Sequence, residues 1–527
     1  MRRYTVGYRN GNGLATAVVL PRTLVELWRV AQACLRNDAI MIVQAANTGL
    51  TGGSTPAGEY DRPLVLISTE HLEGIIPIRS GKEAICIAGS TLTQLENSIS
   101  TYKRAPHSVI GSTCIGASVV GGICNNSGGA LVKRGPAFTE KALFGQVDAD
   151  GNLKLVNHLG VNLGTEPEQM LRNLEQRSFD IETVGEAVNP TVDYSQHIRQ
   201  THEATPARYN ADARGLFEAS GSAGKVIVFA VRLPTFCAPV EKQTFIVSTD
   251  DPELFSNLRK KLLEPTIPLP ETCEYLHRKA IRLAVAYGND VCALLWLFGA
   301  TRMQNILAFQ KRCASILGQH VTNILAQSLG KIAPHPLPRS LRAIFEQSEH
   351  HLILTAADGA IEPIRKALAD FRNEGHLSIK EATLNDAAAA MRVRFAVAGA
   401  MVRYRDVVRG SGELAALDFA LPRNANAFFL KLPENLANSV LERADYGHFL
   451  CNVFHCDLVL RHEVEREQFE EEVKEVVEAL GGSLPAEHNF GHMYQAPMHV
   501  VAFYRSLDPT NSLNPGIGKT SRKKHWR

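Results

Sequence analysis

Two loops built from small residues constrain this chain more than any other feature. The first is Gln44-Ala45-Ala46-Asn47-Thr48-Gly49-Leu50-Thr51-Gly52-Gly53-Ser54-Thr55-Pro56, directly after the apolar run Ile40 to Val43. The second runs from Pro106 through Gly111, Gly116-Ala117-Ser118 and Gly121-Gly122 to Ser127-Gly128-Gly129. Backbone without bulky side chains approaches a ligand closely and turns its N–H groups onto phosphate oxygens. Neither loop contains Lys or Arg, so an anion there would be held by main-chain dipoles and hydroxyls. No Gly-Lys-Ser/Thr follows the glycines, which excludes a P-loop, and no G-x-G-x-x-G opens a helix, which excludes a Rossmann fingerprint. Either loop alone is compatible with a simple turn. Their co-occurrence in this order is the specific signal.

The remaining sequence bounds the class. With 45% hydrophobic residues over 527 positions the chain can bury more than one core, which excludes long disorder and small disulfide-stapled scaffolds. The formal charge of +2 gives no global basic footprint, so nucleic acid is not an expected partner. Ten cysteines stand without any C-x-x-C pair, which suits free thiols in a reducing compartment and makes the cytoplasm the default location. The longest apolar run, Val291 to Ala300, is too short to span a bilayer.

Periodicity predicts an α/β N-terminal unit. Thr23-Leu24-Val25-Glu26 opens a helix as a capping box, strands are expected at 40–43, 64–67, 84–88 and 226–233, and a helix at 91–99. A change of pattern near residue 235 marks a boundary. The second unit, 235–489, is expected to hold strands at 352–355, 428–432 and 449–460 and a helix at 463–480. Within it, 291–345 contains no Asp or Glu but carries Arg302, Lys311, Arg312, Lys331, Arg339 and Arg342. Leu317, Val321, Ile324, Leu325 and Leu329 fall on one helical face. A basic amphipathic segment of this kind suits an anionic membrane surface, although a core helix with a solvated basic side fits the same pattern.

Taken with Pro21 to Leu27 and Ser220-Gly221-Ser222-Ala223-Gly224-Lys225-Val226-Ile227-Val228, the two loops resemble the PCMH-type FAD-binding domain of the vanillyl-alcohol oxidase superfamily. Gln44 to Pro56, Pro106 to Gly135, Thr205 to Asn210 and Asp508 to Lys519 are further similar to its branch of respiratory, quinone-dependent D-lactate dehydrogenases. The resemblance covers essentially the whole chain, although the family pattern begins upstream of Met1. It implies an α+β fold: a PCMH-type FAD-binding domain over 1–234 completed by 490–527, a ferredoxin-like cap over 235–489, and a basic membrane-binding insertion at 291–345. It implies a peripheral enzyme on the cytoplasmic face of the inner membrane that oxidises D-lactate to pyruvate and passes electrons to a membrane quinone. Non-covalent FAD is expected at Ala45, Ala46, Asn47, Thr48, Gly49, Gly53, Ser54, Gly111, Ser118, Gly128 and Val228.

A hydroxy-acid dehydrogenase also needs a base and a cation for the substrate carboxylate. The resemblance assigns the base to His488 in Glu487-His488-Asn489-Phe490-Gly491-His492, with His492 as competitor. It assigns the cation to Arg394, with Arg403 as competitor; a guanidinium pairs a carboxylate through two parallel bonds. His448, His455 and Glu487 map onto a two-histidine, one-carboxylate metal set of related hydroxy-acid enzymes. Phe449-Leu450-Cys451 replaces that pattern's Gly-Asp-Gly, so both a divalent metal and a metal-free site stay open. Two alternatives also stand: metal-assisted oxidation of another D-2-hydroxy acid such as glycolate or 2-hydroxyglutarate, and a flavin-binding membrane-surface protein without turnover.

Overall fold

The computed structural model describes residues 1–7, 10–107, 116–180, 194–374, 377–487 and 489–527; several side chains between 300 and 319, including those of Arg302, Lys311, Arg312 and Leu317, lie outside that description. Gly111 and His488 are outside it as well.

Among the described residues the N-terminal unit carries two larger sheets, and its short strand Arg104–Ala105 pairs separately with Phe236–Cys237. Ala17–Val19, Leu64–Ser68 and Ile40–Gln44 form a parallel sheet in that order. Ile75–Ile78, Glu83–Ile87, Ile227–Pro234, Ala142–Val147 and Leu153–Asn157 form an antiparallel one. Helix α1 (Leu24–Arg36) starts at Thr23, whose hydroxyl accepts the Glu26 N–H at 3.1 Å, while the Glu26 carboxylate accepts from the Arg22 N–H at 2.6 Å. The return arm of the cap thus reaches one residue further back than the pattern predicts. Leu24, Leu27, Trp28 and Ala31 of α1 are buried in one core with Ile85, Leu143 and Phe229 of the antiparallel sheet. A short helix, α2 (Val119–Cys124), stands within the second small-residue loop, with Ser118 accepting the Gly121 N–H at 3.0 Å.

The C-terminal stretch lies against this unit. Met41 and Leu513 form a parallel bridge, the Met41 N–H bonds the Ser512 carbonyl at 2.9 Å, and the Asn514 N–H bonds the Met41 carbonyl at 2.9 Å.

The second unit is built on seven antiparallel strands in the order Ser378–Ala382, Lys242–Thr249, His350–Ala357, Thr272–His277, Val440–His448, Val453–Arg461 and Ser411–Ala420. Because side chains alternate along a strand, Phe245, Val247, Leu352, Leu354, Leu458 and Leu460 enter one core, and Ile246, Ile353, Ala444, Tyr446 and Val459 enter the other. The second core is covered by helices α3 (Arg278–Tyr287), α4 (Asn289–Leu317) and α6 (Leu384–Val407) and by the helix Arg339–Gln347, while α5 (Gln319–Ile332) packs against α3, α4 and α6. Helix α7 (Arg466–Ala479) packs Phe469, Val473 and Val477 into the first core.

Three expectations are corrected here. The apolar run 449–460 is not one strand: Phe449–Cys451 is a 3-10 turn, Asn452 is left-handed at φ 54°, and the strand starts at Val453, so the run is the corner of a hairpin. Residues 428–432 form no strand; Phe428 is buried among the rings of Phe255, Tyr275 and Phe449, and Pro433 follows. The apolar stripe of 317–329 is interrupted, since Gly318 at φ 86° separates α4 from α5. Helix α4 is itself broken at Gly299, φ 69°.

Among the described residues no single helix is long and apolar enough to cross a membrane. The pair Arg278–Tyr287 and Asn289–Gly299 reaches that length and composition only together, and is bent by 75°.

Candidate active site

The strand register builds the site. Glu274 stands directly across the sheet from His448, and Asp418 directly across from His455. Tyr446 pairs with His455 and His448 with Val453 across the hairpin. Residues opposite one another in a ladder share a face, and so do residues two apart in a strand. Both histidines and both carboxylates therefore project from the sheet face beneath α3 and α6. The imidazole rings meet edge to face with centroids 5.4 Å apart.

Each imidazole is oriented by the carboxylate across from it. His448 Nδ1 lies 2.7 Å from Glu274 Oε1, and His455 Nδ1 lies 3.4 Å from Asp418 Oδ1. This leaves His448 Nε2 facing Glu487, 3.7 Å from its Oε2. Arg394 of α6 places Nη2 2.8 Å from the second oxygen of Glu274 and lies over the Tyr446 ring at 4.6 Å. Its Nε is buried without a hydrogen-bond partner among the described residues. Arg208 pairs with Glu487, both almost fully buried, and the Glu487 N–H donates to Asp418 Oδ2 at 2.8 Å.

Burial raises both oriented carboxylates, and their charged neighbours decide the outcome. Burial alone would raise Glu274, but His448 and Arg394 hold it below the usual carboxylate range. Burial, reinforced by Glu487, pushes Asp418 well above it. An ionised Glu274 accepts the Nδ1–H of His448 and leaves the Nε2 lone pair available.

A cavity of ≈ 620 Å³ joins this cluster to the small-residue loops. Ala45, Ala46, Asn47, Thr48, Gly49, Gly53, Ser54, Ser118, Gly128 and Val228 line it, and so do His448, His455, Glu487 and Arg394. Two of the glycines are required by close approach: a Cβ on Gly53 would meet the Asn489 amide at 2.7 Å, and one on Gly128 would meet the Glu487 carboxylate at 2.1 Å. At Gly49 a Cβ would meet nothing within 4 Å, which leaves bare backbone open to the cavity. Among the described residues no lysine lines the cavity. These features fit a dinucleotide whose diphosphate is held by main-chain N–H groups and hydroxyls, with Asn47, Thr48, Ser54 and Ser118 at hand. Cys124 also lines the cavity, but burial pushes its thiol up to about 11, so it carries no nucleophilic thiolate at neutral pH.

His448, His455 and Glu487 bring one ligand atom each within 4.8 Å of one another. The donor set and the carboxylates behind both imidazoles suit a divalent cation; the Arg208 guanidinium on Glu487 competes with it.

His492 is placed elsewhere. Its Nδ1 faces the Gly516 carbonyl at 3.2 Å and its backbone N–H bonds Thr51, so it packs behind the first loop and does not line the cavity. Burial lowers it to about 4. His488 lies outside the described residues, but Glu487 and Asn489 on either side of it both line the cavity. Arg403 pairs with Asp290 at the start of α4.

Five polar side chains were missed at the level of sequence. Glu274 and Asp418 are single acids in apolar strands, and Arg208 stands within Thr205 to Asn210, where no chemical role was assigned to it. Asn489 accepts from the Thr51 hydroxyl at 3.1 Å and donates to Asn125, which ties the two small-residue loops together. Asn514 donates to Gly53 and Ala223, each at 2.8 Å, which ties the first loop to the turn before Ile227–Pro234. The signal for these two was present, because both stand inside motifs already singled out.

Comparison with known proteins agrees with this layout. A family model described as "FAD binding domain" matches residues 15–154, and one described as "D-lactate dehydrogenase, membrane binding" matches residues 244–526. The quinone-dependent D-lactate dehydrogenase of Haemophilus influenzae is 44% identical over 99% of this chain and 95% of its own length. The Escherichia coli protein of the same name is 42% identical over 100% of this chain and 94% of its own. Among solved structures, p-cresol methylhydroxylase with substrate bound aligns at TM-score 0.58 and 14% identity over 98% of this chain and 92% of that one. An alkyldihydroxyacetonephosphate synthase aligns at TM-score 0.57 and 10% identity over 97% and 80%. With its FAD-binding domain, its membrane-binding region and full-length relatives at this identity, the chain belongs to the quinone-dependent D-lactate dehydrogenase family.

Proposed function

We propose that this chain oxidises D-lactate to pyruvate on a non-covalently held FAD and delivers the electrons to a membrane quinone. The observation that carries the reading is one cavity with dinucleotide-binding loops on one wall and an imidazole–carboxylate–guanidinium cluster on the other. Bound FAD supplies the acceptor for the hydride from the substrate C2. The chain supplies the rest. Arg394, with a buried Nε free to donate, binds the substrate carboxylate. His488 takes the hydroxyl proton, and His448, aligned by Glu274, lines the pocket beside the reacting group.

The test is His488→Ala. The variant is expected to purify yellow and to lose anaerobic bleaching by D-lactate by about 10²-fold or more. Bleaching at the wild-type rate would remove His488 from the role and leave it to His448.

A second reading is favoured by the convergence of His448, His455 and Glu487: a divalent cation there assists oxidation of D-lactate or of another D-2-hydroxy acid, such as glycolate or 2-hydroxyglutarate. Elemental analysis of purified protein, with a substrate panel before and after chelation, separates the two. Stoichiometric metal and chelator-sensitive turnover support the second reading; metal-free protein with full activity ends it.

The membrane partner is proposed to be the anionic cytoplasmic face of the inner membrane. Lys331, Arg339 and Arg342 are exposed, and no acid stands between 291 and 345.

A further inference from the structure

The cavity continues beyond the catalytic cluster. Starting at Arg394, α6 lines it with Phe395, Gly399 and Val402, so it follows one side of the helix for about 12 Å at the α-helical rise. Val291, Leu295 and Met303 of α4 form the facing wall. These six positions carry no charge, while Arg403, Arg405 and Asp406 add a polar margin to the cavity further along α6. Phe395 and Gly399 are exposed instead of being covered by protein, and a Cβ on Gly399 would meet nothing within 4 Å. Trp296, Leu297 and Phe298 follow Leu295 directly in the chain and are 64%, 61% and 43% exposed. The facing wall of the limb is therefore continuous in α4 with an exposed apolar patch, within the region matched by the membrane-binding family model.

A three-carbon hydroxy acid has no use for an apolar trench of this length. A planar apolar carrier with a long hydrocarbon tail does. The geometry points to this limb as the seat of an isoprenoid quinone, its ring at the Arg394 end and its tail leaving past Leu295 and Trp296 into the bilayer. The assignment rests on the quinone-dependent reading proposed above. The balance is complete: D-lactate loses two electrons and two protons as pyruvate forms, and the quinone gains two electrons and two protons and departs as quinol.

Gly399→Leu tests the assignment in the full-length, FAD-loaded protein, because its side chain projects into empty trench and leucine favours the helix more than glycine does. The KM for decylubiquinone is expected to rise by about tenfold or more. Quenching of tryptophan emission by decylubiquinone in the oxidised protein should shift to higher concentration by a similar factor. Anaerobic bleaching by D-lactate and reduction of phenazine methosulfate should stay within about twofold of wild type. An unchanged quinone KM and an unchanged quenching curve would overturn the assignment. So would equal slowing of bleaching, since the limb would then serve the donor, and so would displacement of decylubiquinone by lauric acid at equal affinity, which would make it a lipid groove. Leu295→Trp narrows the trench from the facing wall and supplies the same readouts where the first variant does not fold. Wild-type protein that D-lactate does not bleach strikes at the enzymatic reading, which separates that failure from this one.

Discussion

Asn489 shows how much a single side chain can organise. Its carbonyl accepts from Thr51 and from the Gly491 N–H, and its amide donates to Asn125, so one residue of the second unit fastens both small-residue loops of the first. Removing it leaves partly buried polar partners unmatched, at about 1–3 kcal/mol. Asn489→Ala is therefore expected to weaken FAD retention by about tenfold or more, measured as flavin fluorescence released on dilution; retention equal to wild type would show that the loops hold without the tie. At this scale legibility followed motif density. Ala45 to Ser54 and Gly128 were readable because small residues cluster there for one purpose. Glu274 and Asp418 were not, because each acts through a histidine that strand register brings across from a distant part of the chain, and Arg208 was not, because its ion-pair partner Glu487 is likewise distant in sequence.

At the scale of elements, α5 is the least conventional part of the molecule. Val321, Ile324, Leu325, Leu329 and Ile332 recur at helical spacing on its outer side and are 46%, 44%, 52%, 65% and 83% exposed. A helix that turns its apolar face outward, without a single acid, is the contact face in the membrane-docking reading proposed above. Leu325→Glu with Leu329→Glu is expected to lower co-sedimentation with vesicles containing anionic lipid by about tenfold or more, since each lost leucine forfeits about 1–2 kcal/mol of burial. Dye reduction in solution should be retained. Unchanged sedimentation would mean that α5 is not the contact. The elements misread from sequence share one cause. The corner 449–452 is packed inside the core, where Arg259 Nε bonds the Leu450 carbonyl at 3.1 Å, so its turn is made from Phe, Leu and Cys and only Asn452 signals it. Phe428 likewise looks like strand because it is buried, although aromatic packing and not a ladder holds it.

At the scale of the whole molecule, buried histidines set the acid limit. Burial lowers His107, His197, His350 and His492 to about 4 and His351 to about 3. The unfolded chain binds protons at these sites near pH 6.5 and the folded chain does not, so unfolding takes up protons and stability rises with pH between about 4 and 6.5. Glu470 acts in the opposite direction: burial raises it to about 7, so its ionisation costs stability as pH rises from about 4.5 to 7. The lowered histidines outnumber the raised carboxylates Glu470 and Asp418, which predicts a falling Tm from pH 7 to pH 5, with net proton uptake on unfolding measurable by calorimetry in buffers of different ionisation enthalpy. Net proton release at pH 5.5 would contradict this. Glu470→Gln should steepen the acid loss and stabilise the protein at pH 8.

The central claim is that one cavity holds a flavin between the small-residue loops and the histidine–carboxylate cluster, where D-lactate reduces it and quinone reoxidises it. The direct measurement is the visible absorption spectrum of the purified protein under anaerobic conditions, first with D-lactate and then with decylubiquinone. The account predicts a yellow protein that bleaches on the first addition and regains its colour on the second. A folded protein that takes up no flavin, or a yellow one that D-lactate leaves unchanged, would contradict it.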